Sequence, residues 1–110
     1  MEIQEKDDYT LVHQKEHSFT KFVTDFEENH KNIENNNTII LLSDDTAITE
    51  KEIFVFLKYS EIHVNNGTTF VLVHKGIDID NFPEDFNIAP TLQEAEDILE
   101  MENIQRDLGF

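Results

Sequence analysis

The chain has 110 residues, with 8 Lys and Arg against 24 Asp and Glu, a net charge of −16 with His neutral, and no Cys. That length suits one domain with a single two-layer core. The charge disfavours nucleic acid and anionic membrane surfaces, which recruit Lys and Arg, and favours a basic partner or plain solubility. Without Cys there are no disulfides, no thiol catalysis and no thiolate metal sites.

The first eight residues lack the apolar core of a signal peptide and read as a flexible N-terminus, so a cytoplasmic location is expected. Residues 9–13 alternate around Tyr9, Leu11 and Val12 and predict a short strand near a sheet edge. Ser18 is an N-cap candidate for a helix whose apolar side carries Phe19, Phe22, Val23, Phe26, His30 and Ile33. His30 is expected to close the edge of the core. Asn35, Asn36 and Asn37 end that segment, because Asn favours turns.

Thr38-Ile39-Ile40-Leu41-Leu42 is almost wholly apolar, as in strands covered on both faces of a parallel sheet. Thr49-Glu50-Lys51-Glu52 is a capping box. It opens a helix to about residue 64, with Ile53, Phe56, Leu57, Ser60 and Val64 on one face and Phe54 and Val55 widening it. Asn65-Asn66-Gly67 is a turn with Gly as a left-handed cap. Residues 69–73 form the next buried strand.

Residues 76–87 are irregular and acidic, with Ile77, Ile79, Phe82 and Phe86 as apolar anchors. Asn87-Ile88-Ala89 predicts a brief last strand. Thr91-Leu92-Gln93-Glu94 caps a final helix with Leu92, Ala95, Ile98, Leu99 and Glu102 along one side, and residues 104–110 read as a tail. The fold class is therefore α/β: one domain over residues 1–110, with a mixed, mostly parallel sheet of about four strands, three helices and right-handed crossovers.

The loop of residues 43–48, between a strand end and a helix start, is where an activity would be expected. It has no nucleophile with a base, no phosphate-cradling glycines and no metal-ligand set. Ser43 reads as a strand-end residue outside any Gly-x-Ser-x-Gly setting. Asp44 and Asp45 are adjacent in a loop and read as exposed charge. His13 and His17 cross a strand end, and a zinc site needs three or four convergent ligands. His63 and His74 read as surface or half-buried residues. Asp78-Ile79-Asp80-Asn81 lacks the register of a calcium loop. No metal or cofactor is expected. Phe54 lies off the main helix face, where it either anchors a partner or packs under a neighbouring helix.

In element order the chain resembles a STAS domain, the small fold of bacterial anti-sigma factor antagonists. The resemblance rests on Ile39-Ile40-Leu41-Leu42-Ser43, Ile48-Thr49-Glu50-Lys51-Glu52-Ile53, Asn66-Gly67, Phe70-Val71-Leu72-Val73 and Thr91-Leu92-Gln93-Glu94-Ala95. From Ala89 onward it is also similar to small bacterial STAS-like proteins encoded beside, and often labelled as, ribonuclease Z. The resemblance implies a non-enzymatic regulatory module that binds a protein, an anti-sigma or kinase-like regulator. Its surface would comprise Ser43, Asp44, Asp45, Thr46, Thr49, Glu50, Lys51 and Phe54. Glu50 and Lys51 stand where the family carries its phosphorylatable serine, so no phosphorylation is expected there. Glu50 is either a fixed mimic of that charge or a complement to the helix dipole. Two alternatives are a nuclease or small hydrolase, which the ribonuclease Z label would suggest, and a structural subunit that docks through residues 104–110. The His-x-His-x-Asp-His zinc motif of that nuclease is absent.

Overall fold

The computed structural model describes residues 1–45 and 47–109. The structure is α/β, with five strands in the order β1-β2-β3-β4-β5. These are β1 (Glu2–Glu5), β2 (Thr10–His13), β3 (Thr38–Leu41), β4 (Phe70–Val73) and β5 (Asn87–Ala89). β1 runs antiparallel to β2, and β2, β3, β4 and β5 are mutually parallel. The helices are α1 (Phe19–Asn29), α2 (Glu50–Ile53), α3 (Leu57–Asn65) and α4 (Leu92–Asp107). A tight 3-10 turn, Phe54–Phe56, joins α2 to α3 as one helical segment.

The sheet has one strand more than the about four expected, and it comes from the residues read as a flexible N-terminus. Glu2, Gln4 and Glu5 give β1 the composition of a loop. Charged residues on an outer strand are how proteins guard an edge against further pairing. Ile3 pairs opposite Val12, and the Met1 amino group donates to Glu16 Oε2 at 2.6 Å. β2 is therefore an internal strand and not an edge.

Side chains alternate across the parallel strands and build two cores. Val12, Ile40 and Leu72 point to one face, where Phe19, Phe22, Phe26, Ile53, Phe56 and Tyr59 cover them from α1 and the α2–α3 segment. Leu11, Ile39 and Val71 point to the other, where α4 covers them with Ala95 and Leu99. The caps fall where expected: Ser18 Oγ accepts from Lys21 N, Thr91 Oγ1 accepts from Glu94 N, and Gly67 is left-handed at φ 75°. The expected tail is different. Residues 104–107 continue α4, capped at Leu108. Among the described residues no helix is long and apolar enough to cross a membrane.

The aromatic core holds a pair of buried histidines. His30 Nε2 and His63 Nε2 lie 2.9 Å apart, and His63 Nδ1 lies 2.9 Å from Thr68 Oγ1. His63 is thus fully buried, which corrects the surface or half-buried reading. The 3-10 turn that follows α1, His30–Asn32, delivers His30 and α3 delivers His63, and each ring satisfies a polar atom of the other, as buried polar groups require. Phe26 and Tyr59 flank His30, and Phe70 flanks His63.

Burial, reinforced by the His30 ring, pushes the His63 imidazole down from 6.5 to about 4. The unfolded chain therefore binds more protons between those two values, and stability falls as the pH drops through that window. The full loss is on the order of 3 kcal/mol. Urea unfolding measured from pH 7.5 down to about 4 should show this decline. His63→Gln, which keeps a donor and an acceptor but does not titrate, should lose most of it. Equal slopes for both proteins would assign the acid sensitivity elsewhere.

Candidate functional site

The carboxyl ends of parallel strands are where α/β folds place ligands. Here the loops that follow β3 and β4 meet. Leu42 continues the ladder one step past β3, its N–H donating to Val73 O at 3.1 Å. The chain then turns away, held by Gln14. That residue is buried beside the end of β2, and its Oε1 accepts from Ser43 N at 2.8 Å. Gln14 Nε2 in turn donates to Glu16 O at 3.0 Å. Ser43 Oγ accepts from Asp45 N at 3.2 Å, a local turn that leaves Asp44 and Asp45 exposed. Thr46, also expected in the site, lies outside the described residues.

Ile48 tucks against the first core, which fixes the approach to α2. Thr49 and Glu52 then form the full capping box. Thr49 Oγ1 accepts from Glu52 N at 3.2 Å, and Glu52 Oε1 accepts from Thr49 N at 3.0 Å. Lys51 is exposed. Glu50 is half-buried, because its Oε2 accepts from Asn81 Nδ2 at 2.6 Å. Asn81 closes a 3-10 turn, Ile79–Asn81, that begins at Asp78, whose Oδ1 accepts from Asp80 N. The Glu50–Asn81 bond thus ties the β3–α2 loop to the β4–β5 loop across 31 residues of sequence.

The 3-10 turn explains Phe54. In such a turn residues three apart eclipse one another, and Ile53 and Phe56, three apart, both go into the core. Phe54 is left outside, 44% exposed. It does not pack under a neighbouring helix. Its ring lies 4.9 Å from the buried Phe82 ring, which in turn lies 5.5 Å from Phe86. Ile79, on the same loop as Phe82, is also exposed. Val64, expected on the buried face of the helix, is instead exposed, and Tyr59 and His63 take the inward positions.

The structure therefore brings Ser43, Asp44, Asp45, Thr49, Glu50, Lys51 and Phe54 to one end of the sheet. It adds three residues that sequence reasoning did not place there: Gln14, Asn81 and Phe82. The only sequence signal for Asn81 and Phe82 was the acidic loop with apolar anchors, and Gln14 had none, since each acts on a residue distant in the chain. His74 stands at the end of β4. Its Nδ1 accepts from Gly76 N at 3.0 Å, and its Nε2 is buried without a hydrogen-bond partner among the described residues. The five histidines are dispersed: His13 ends β2, His17 precedes α1, His30 and His63 pair in the core, and His74 follows β4. Among the described residues no three His, Asp or Glu side chains form a metal-ligand group. No protein-family model matches the chain, and no curated protein sequence matches it.

The capping box sets where α2 begins. Thr49→Ala should lower the unfolding free energy by about 1 kcal/mol, and Thr49→Ser should recover most of it. Urea unfolding of the three proteins measures both effects; a neutral Thr49→Ala would mean that Ile48 and Ile53 packing alone sets the helix start.

Proposed function

We propose that this chain is a non-enzymatic, STAS-like regulatory module that binds a protein partner at the joined β3–α2 and β4–β5 loops. The observation that carries the reading is Phe54, an aromatic ring held outward on a buried Phe82 beside exposed Ile79. Aromatic anchors of this kind dominate binding energy. Asp44, Asp45, Asp78 and Asp80 stand exposed on the same two loops. They suit a basic or neutral partner and would speed its approach. The Gln14, Asn81 and capping-box bonds hold the surface in shape before binding, which lowers the ordering cost of association.

Two features favour binding over catalysis. The parallel strands β2 to β5 follow one another without a reversal of order, and it is at such a reversal that doubly wound sheets open a ligand crevice. Ser43 is bonded through its backbone to Gln14 and through its hydroxyl to a backbone N–H, and neither is a base. The scattered histidines speak against the nuclease reading in the same way. The STAS resemblance points to an anti-sigma or kinase-like regulator as the partner class, without the usual serine switch. Glu50 is engaged by Asn81 and sits in the first turn of α2. It therefore serves loop bridging and the helix dipole better than it serves as a free phosphate mimic.

Tagged wild-type chain and two variants, Phe54→Ala and the Asp44→Lys/Asp45→Lys pair, should be compared by quantitative capture from the native cell. A specific protein present with wild type should be lost with Phe54→Ala and depleted with the charge reversal. Thermal unfolding of both variants should stay close to wild type, because the altered side chains are exposed or half-exposed. Identical captured proteins in identical amounts would remove the assignment of this surface.

A further inference from the structure

The last two turns of α4 are amphipathic in the wrong sense for a helix lying on a core. Met101, Ile104 and Leu108, spaced three and four apart and so on one side, are 60%, 52% and 68% exposed. Glu102, Asn103 and Arg106, which lie between them, turn inward. Glu102 accepts from Thr69 Oγ1 at 2.7 Å and from Asn87 Nδ2 at 2.8 Å. Arg106 donates to Thr69 Oγ1 at 3.0 Å. A surface helix normally shows water its polar side and the core its apolar one. Contiguous apolar exposure of this kind marks an interaction site.

The charges around the stripe select its occupant. Asp97 and Glu100, one turn before Met101 and Ile104, and Asp107 beside Leu108 are all exposed. The cation of this helix, Arg106, is used on the inner side. The outward face is therefore apolar, bordered by the neutral Gln105 and by acidic residues, with no cation of this helix on it. A second copy would set Asp97, Glu100 and Asp107 against themselves, on a chain that already carries −16. A segment with an apolar stripe bordered by Lys or Arg complements it in both respects.

We infer that this outer face of α4 is a docking site for a basic amphipathic helix of another protein. It is separate from the Phe54 surface. Arg106 reaches residues at the amino ends of β3 and β4, whereas Phe54 stands beyond their carboxyl ends. The two can be occupied together, and each can fail without the other.

The probe is a synthetic peptide of Leu and Lys at helical spacing, about four turns long, followed by fluorescence anisotropy with the full chain. A peptide of the same composition, scrambled to remove the apolar face, measures attraction by charge alone. The ordered peptide should bind at least about tenfold more tightly than the scrambled one. Ile104→Asp with Leu108→Asp should abolish that difference, and Glu100→Lys with Asp107→Lys should weaken the ordered peptide by about tenfold. Phe54→Ala should leave it unchanged. Circular dichroism should show every variant folded, since all altered side chains are exposed or half-exposed. Equal binding of the two peptides, or affinity unchanged by the α4 substitutions, overturns the inference. So does a wild-type dimer in sedimentation that Ile104→Asp dissolves, which would make a second copy the occupant.

Discussion

Everything in this molecule follows from the need to cover both faces of β3 and β4. Their residues are apolar on each side, so each face must be sealed, and the two seals differ in kind. One face receives α1 and the α2–α3 segment, with a dense aromatic core of Phe19, Phe22, Phe26, Phe56 and Phe70. The other receives α4 alone, which contributes Ala95 and Leu99 to the buried cluster. The aromatic side encloses a polar pair, His30 and His63, by making each satisfy the other. The α4 side has less apolar contact and is completed by hydrogen bonds.

What was legible in the sequence is local. Ser18, Thr49 and Thr91 announce their helices because an N-cap acts on backbone groups only two or three residues away. The runs at 38–42 and 69–73 announce buried strands because both faces write themselves into one short segment. The acidic loop with apolar anchors was visible as a composition. Its use was not, because Phe82 meets Phe54 and Asn81 meets Glu50 only after the sheet has brought their loops together.

The errors have the same origin. β1 was invisible because a guarded edge strand and a polar terminus have the same composition. His63 reads as a surface or half-buried residue because the ring that makes its full burial tolerable is 33 positions earlier. Phe54 was correctly singled out as lying off the main face. Its outward position, however, depends on a 3-10 turn, and the continuous helical period read from the sequence would have rotated Tyr59 and His63 out and Val64 in.

The amino ends of the parallel strands explain why α4 turns its polar residues inward. Asn37 accepts from Thr69 N at 2.8 Å and donates to Asp8 O, while its carbonyl accepts from Thr10 N. One residue thus serves the starts of β2 and β4. Thr69 Oγ1, and Asn87 Nδ2 at the start of β5, need partners of their own, since polar groups buried without hydrogen bonds are costly. Glu102 supplies acceptors and Arg106 a donor, and Asn103 Oδ1 accepts from the same guanidinium. With 3.6 residues per turn, placing positions 102, 103 and 106 toward the sheet obliges 101, 104 and 108 to face outward. A polar sequence at those outer positions would have met the same inner requirement. The apolar side chains at 101, 104 and 108 are therefore not a by-product of anchoring the helix, and the proposed docking of a basic amphipathic helix is what would use them.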